Sequence, residues 1–262
     1  MNEIKMSHWA KVKIGVRLLL IQSRWDDMRM QGTGFGFALD PWLVACWDAE
    51  PDALLAARKR HLEYFNTHPI AAWLVAGIVC RQEAIAAAST DSVREDAIAK
   101  VKSLKIGLGA SLAGSYDSFF WGALRPASVM AGLLTALIFM HFNKAHMPMW
   151  TVIIMLGVYN IPAITARLSG LMLGSAQGER AAAQLVSLPV QWWIRILWWT
   201  TIVLSLLVLV IGAGQLNQNG RCLALFMFVG SLISAWYGVS YRTQIGLVGL
   251  GGAAMSVMGL KP

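Results

Sequence analysis

Apolar positions along the chain follow two regimes, and the change comes near residue 125. Before it, hydrophobic residues recur at helical spacing among charges. Residues 8–25 (HWAKVKIGVRLLLIQSRW) set Trp9, Val12, Ile14, Val16 and Leu18–Leu20 among Lys11, Lys13 and Arg17. This pattern reads as a basic amphipathic helix. Two settings fit it: a membrane interface, where its cations meet anionic lipid, and an ordinary packing site on the rest of the protein. In residues 31–43 (QGTGFGFALDPWL), three glycines and a proline are expected to break regular helix and form a tight turn or close backbone packing. A second helix is expected over 51–65, opened by Pro51 and Asp52 and stopped by NTHP at 66–69. The apolar stretch from 71 holds ten residues (71–80) before Arg81 and Glu83. That is short for a ~30 Å hydrocarbon layer, so it reads as a half-helix or re-entrant piece. Residues 89–105 read as a capped amphipathic helix.

From 106 the chain changes character. IGLGASLAGSYDSFFWGALRP (106–126) is rich in small residues that permit close helix approach. Five apolar segments follow at 127–142, 149–165, 193–214, 222–240 and 245–260; by length, 193–214 and then 222–240 are the strongest full spans. Pro162, beside Tyr159, Asn160 and Ile161, predicts a broken helix of the kind transporters use. The expected fold is therefore all-α: a polytopic membrane protein with an N-terminal amphipathic, interfacial helical region and re-entrant or broken helices beside several transmembrane ones. Residues 1–105 form the cytoplasmic or interfacial part and 106–262 the membrane domain.

Composition strengthens this reading. Only 14% of the 262 residues are charged, against about 25% in soluble domains, so lipid must cover part of the surface. Many of the 12 tryptophans lie at the ends of apolar runs, as interfacial indoles do. Residues 1–125 hold 15 of 22 basic and 13 of 14 acidic groups, and the remainder holds 7 basic groups and Glu179 alone. The net +8 thus lies between and beside apolar segments, which matches positive-inside topology and not a nucleic-acid face. Cys46, Cys80 and Cys222 are widely separated and read as reduced thiols, with no disulfide framework or zinc site. The N-terminus does not read as a cleavable signal peptide.

No catalytic triad, carboxylate pair or metal cluster stands out, and neither a metal nor a cofactor is expected. Asp117 is the one acid between Asp96 and Glu179, and an ionisable group at membrane depth is functional by default. It serves a substrate path or a partner contact, or it closes a structural turn with Arg125. Ser118, Trp121 and Arg125 share its neighbourhood. Asn66 and His68 either line the path or shape the turn before Pro69. Asn160 marks the expected helix break.

Four stretches carry a family resemblance: QGTGFGFALDPWL, KRHLEYFNTHP (59–69), IGLGASLAGSYDSFFWGALRP and YNIPAITARLSGLMLG (159–174). In order and spacing they resemble the IID subunit of the mannose/fructose/sorbose family of sugar phosphotransferase permeases, over about residues 10–180. The resemblance implies a non-catalytic subunit in the bacterial inner membrane that pairs with a IIC subunit, as trimers of such pairs. The pair would move a hexose of the mannose, fructose, sorbose or amino-sugar class, phosphorylated through cytoplasmic IIA and IIB carriers. A regulatory component of an incomplete system is the alternative. One departure is Tyr116, where the family commonly has a small residue before the aspartate. It implies either a conventional turn or altered packing.

Overall fold

The computed structural model describes residues 6–142 and 147–214. The apolar segments expected at 222–240 and 245–260, with Cys222, lie outside them. Among the described residues the regular structure is helical: α1 (His8–Leu18), α2 (Gly32–Trp47), α3 (Pro51–Leu62), α4 (Ala71–Ala87), α5 (Asp91–Tyr116), a π-helical segment (Asp117–Leu124), α6 (Arg125–Phe142), α7 (Met147–Gln177), α8 (Glu179–Val186) and α9 (Val190–Gly214). The described residues divide into two compact units, one from 6–126 with 156–198 and one from 127–142 and 147–155 with 199–214. The expected division at residue 105 concerns the membrane and not packing; α5 runs through it unbroken.

α4 is the core of the first unit, with fourteen of its seventeen residues buried. Its apolar sequence is accounted for by protein neighbours, since α1, α2, α5 and α8 all pack on it. A helix apolar all round belongs in an interior, so the reading of this stretch as a half-helix gives way to a complete buried helix. Trp42 ties α2 to it, its indole N–H donating to the Cys80 carbonyl at 2.7 Å.

The glycine-rich stretch is helix, against the expected break. Its glycines act through packing: a Cβ at Gly34 would collide with the Ile21 carbonyl, and one at Gly32 with the Glu63 carbonyl. Backbone therefore lies directly against backbone, which any side chain would prevent. The expectation of close packing holds, and helix geometry tolerates the residues because tertiary contact outweighs their low propensity.

α1 packs on the rest of the protein along one face. Ile14, Gly15 and Leu18 are buried against the unit, while Trp9, Val12, Val16, Leu19 and Leu20 stay exposed. α7 also meets α4 backbone to backbone. A Cβ on Gly174 would sit 2.6 Å from the Leu74 carbonyl oxygen, and one on Gly77 would sit 2.6 Å from that of Leu171.

Three described helices are long and apolar enough to cross a membrane: Ser92–Met140, Pro148–Gln177 and Val190–Gly212. The segments at 127–142 and 149–165, ranked behind 193–214 as spans by length, are thus parts of longer helices. Gly107, Ser111 and Ser115 look like interruptions in hydropathy, yet they continue α5. Likewise α7 runs through Pro162 without ending, correcting the broken helix expected there. In the second unit, α6 and the start of α7 meet where Phe139 and Trp150 stack at 6.2 Å.

Candidate functional site

The first unit holds two polar clusters in otherwise apolar surroundings. One surrounds Glu83, which is fully buried in α4. Arg60 donates to its two oxygens from Nε (2.7 Å) and Nη2 (2.8 Å). The Trp47 indole adds a 2.9 Å bond and His61 Nε2 lies 2.8 Å away. Lys105 Nζ binds the carbonyls of Arg60, His61 and Glu63 at 2.9–3.3 Å, closing the end of α3 onto α5. Burial drives the Glu83 carboxyl upward, but the hydrogen bonds and charges of Arg60 and His61 overcome it and hold its pKa at about 2. His61 is pulled below its ordinary value, by burial first. Its Nδ1 is buried without a hydrogen bond, which suits a neutral ring. A charged ring would strand an N–H there. With every Glu83 oxygen occupied, this cluster is a structural clasp.

The second cluster is less complete. Gln31, just before α2, clamps the backbone of Thr67: its Nε2 donates to the Thr67 carbonyl (2.8 Å) and its Oε1 accepts from the Thr67 N–H (3.2 Å). His68 Nδ1 accepts the Ile70 N–H at 3.1 Å, so Nε2 carries the proton of the neutral ring. Burial, then the charge of Arg167, takes the His68 pKa down to about 4. Both His68 Nε2 and the Thr67 hydroxyl are buried with no hydrogen-bond partner.

The π-helical segment supplies the other wall. His68 stacks on Phe120 (ring centroids 5.5 Å apart) and meets Trp121 at 4.9 Å and Tyr116 at 6.0 Å. Tyr159 of α7 meets Phe120 edge-on at 6.5 Å. π-Helical turns recur at functional sites because their extra residue re-aims side chains. Tyr116 has ordinary right-handed helical angles (φ −72°, ψ −38°), so its replacement of the usual small residue needs no special backbone. Of the two readings of that departure, the conventional backbone is the one observed. Tyr116, Phe119 and Phe120 also line a groove of about 550 Å³ whose polar groups include Ser111, Ser115 and Gln191. An apolar, aromatic groove with a few convergent polar groups is the usual form of a small-molecule site.

Of the residues singled out in the sequence, the structure brings His68 and Trp121 together. Asp117 and Ser118 are exposed at the start of the π segment, Arg125 is exposed at the start of α6, and Asn66 is exposed one residue before the clamp. Asn160 does not accompany a break. Its amide donates to the Leu156 carbonyl one turn back at 2.9 Å. The sequence reading missed Gln31, Phe120 and Glu83; the last was visible as an acid inside an apolar run, which demands a partner.

Residues 5–209 match the profile of the PTS system mannose/fructose/sorbose family IID component. The chain belongs to this family. This IID component is 34% identical over 117 residues to the mannose-specific EIID component of Escherichia coli K12, a stretch covering 45% of the chain and 40% of that protein. It is 31% identical over 137 residues to the sorbose-specific EIID component of Klebsiella pneumoniae (52% and 48%). With the fructose permease IID component of Bacillus subtilis it shares 34% identity over 110 residues (42% and 38%). The matched stretches thus span less than half the length of these relatives. The fold resembles a chain in the cryo-EM structure of the mannose transporter ManYZ with microcin E492, at TM-score 0.57 and 22% identity over 98% of both chains.

Thr67→Val in this IID component tests the unsatisfied hydroxyl. The swap keeps shape while removing a buried group without a partner, so stability is expected to rise by about 1 kcal/mol, read as an upward Tm shift in detergent. Lower transport at that higher stability is the signature of a hydroxyl kept for a ligand or partner.

Proposed function

We propose that this chain is the IID half of a sugar permease in the bacterial inner membrane, a multi-pass subunit that pairs with IIC. The pair translocates a hexose of the mannose, fructose, sorbose or amino-sugar class, and IIA and IIB supply phosphate to the emerging sugar. The chain itself carries no phosphorylated residue in this reading, and the pairs assemble as trimers. Residues 1–105 form the cytoplasmic or interfacial part and 106–262 the membrane domain.

The observation that carries the reading is convergence. Gln31 from the first motif, Thr67 and His68 from the second, and Tyr116, Phe120 and Trp121 from the third meet around one loop, and Tyr159 from the fourth packs on Phe120 behind it. They lie up to 128 residues apart in sequence (159 − 31), and the loop they surround has spare hydrogen-bonding capacity. Sugar hydroxyls or a partner's polar groups would use it. Asp117, Ser118, Trp121 and Arg125, with Asn66, His68 and Asn160, are the residues assigned to the sugar path or the IIC contact.

The deciding measurement is phosphorylation-coupled uptake in cells that carry the IIC, IIA and IIB partners. Uptake is expected to need this chain, and undiminished uptake after its deletion sinks the proposal in favour of a regulatory role. At matched membrane abundance, Asp117→Asn is expected to lower uptake more than His61→Ala, because His61 is committed to the Glu83 clasp. Equal losses would remove Asp117 from the assigned site.

A further inference from the structure

Away from the His68 cluster, a cleft of about 600 Å³ opens between α1, α2 and α3. Its polar lining is Arg17, Arg24, Arg58, Asp40, Ser23 and Thr33. Arg58 Nε bonds Asp40 at 2.7 Å and Arg17 Nη1 lies 4.0 Å from the same carboxylate. Arg17 is also anchored by the Phe37 carbonyl at 2.9 Å and lies over the Phe37 ring at 4.6 Å. Two arginines therefore share one negative charge, and Arg24 has no ion-pair partner among the described residues. The cleft is left with two uncompensated positive charges and two hydroxyls, a donor set suited to a phosphate oxyanion.

Its apolar lining points to the source of that phosphate. Leu20 and Phe37, both in the wall, are 52% and 47% exposed, and Val16 on α1 and Leu19 just past its end are 58% and 64% exposed. A soluble phosphate has no use for such a rim, whereas a lipid places acyl chains against apolar side chains as its headgroup meets the arginines. We propose that this cleft is a discrete binding site for the phosphodiester of an anionic phospholipid, distinct from diffuse attraction of α1 to a charged surface.

The test uses the full chain purified with its membrane partner and exchanged into bicelles of phosphatidylglycerol or phosphatidylcholine, with retained lipid counted by native mass spectrometry. The parent is expected to retain phosphatidylglycerol in preference to phosphatidylcholine. Arg24→Gln is expected to cut that retention about tenfold, as loss of a charge-assisted hydrogen bond does, with no change in Tm. Arg58→Gln should act in the same direction. Lys13→Gln removes the same charge from the exposed side of α1 outside the cleft and is expected to leave retention unchanged. Equal loss in Lys13→Gln and Arg24→Gln would mean diffuse surface charge and overturn the site. So would the absence of any preference between the two lipids. Displacement of the lipid by inorganic phosphate would overturn the lipid assignment, identifying a site for a soluble oxyanion instead.

Discussion

Glu83→Gln is expected to unfold the first unit at markedly lower temperature than any surface charge change. The carboxylate is fully buried and answers Arg60 through two hydrogen bonds, with Trp47 and His61 completing its shell. An amide keeps the volume but presents an N–H₂ where Arg60 or Trp47 also donates, so donors face each other and Arg60 loses its counter-charge. Breaking a buried pair from one side costs about 3–5 kcal/mol, which for a chain of this size lowers Tm by on the order of 10 °C. Tryptophan fluorescence during heating reads it directly, since Trp47 is part of the cluster. Glu50→Gln is the control: Glu50 pairs with Arg94 at 2.6 Å on the surface, and its loss is expected to leave Tm near the parent's. A parent-like Tm in Glu83→Gln would mean that the clasp contributes nothing.

The same cluster sets the response to acid. In the unfolded chain a glutamate titrates at about 4.3, whereas folded Glu83 holds its charge down to about 2. Its stabilisation is complete above the unfolded value and drains away as pH falls from there towards 2. His61 acts earlier and in the same direction. Its folded pKa is depressed by burial, so below about 6.5 the unfolded state gains a proton that the folded state refuses. Stability is thus expected to decline from mildly acidic pH downward, with the Glu83 loss added below the carboxylate range. Glu83→Gln should flatten the lower part of that profile.

Gly174→Leu is the second change of large expected effect. The nearest neighbours of a Cβ at this position are the Leu74 carbonyl oxygen (2.6 Å), the Ile78 amide nitrogen (2.9 Å) and Gly77 Cα (3.1 Å), all of them backbone. No side chain can swing aside, so α4 and α7 must separate, exposing part of the buried face of α4. Overpacking costs about 1–3 kcal/mol even where side chains can adjust, and here they cannot. The expected result is loss of folded protein from the membrane, measured by monodispersity after extraction. Gly107→Leu, where a Cβ meets nothing within 4 Å, should extract like the parent. If Gly174→Leu behaves the same way, the close approach of α4 and α7 is wrong.

What could be read from sequence followed from how local each signal was. α3 and α9 announce themselves through local features, Pro51 with Asp52 at one start and a long apolar run in the other. The glycine-rich helix did not, because the reason for its glycines lies in Ile21 and Glu63, outside the stretch itself. Pro162 suggested a break by the same local logic, and the surrounding helix carried through it. His68 and Trp121 were identifiable as polar or amphipathic residues in unusual company. Their relation to each other and to Gln31 depends on the π turn and the Thr67 clamp, and neither leaves a periodic trace. Asp117 drew attention as an isolated acid, yet the structure leaves it exposed while the buried acid is Glu83. Hydropathy cannot tell these cases apart, since both carboxylates sit in apolar surroundings.

The direction of the chain through the Glu83 clasp bears on how such a protein is made. Trp47, Arg60 and His61 all precede Glu83, by 36, 23 and 22 residues, so its partners have already been synthesised when α4 appears. The most buried helix of the unit can therefore be captured by protein as it emerges, its one carboxylate neutralised by what came before. Lys105 arrives later and locks the finished turn. A nascent chain lacking Arg60 would present α4 with an acid whose fixed counter-charge is missing, and the moment of synthesis, more than the finished fold, is where that loss would first be felt.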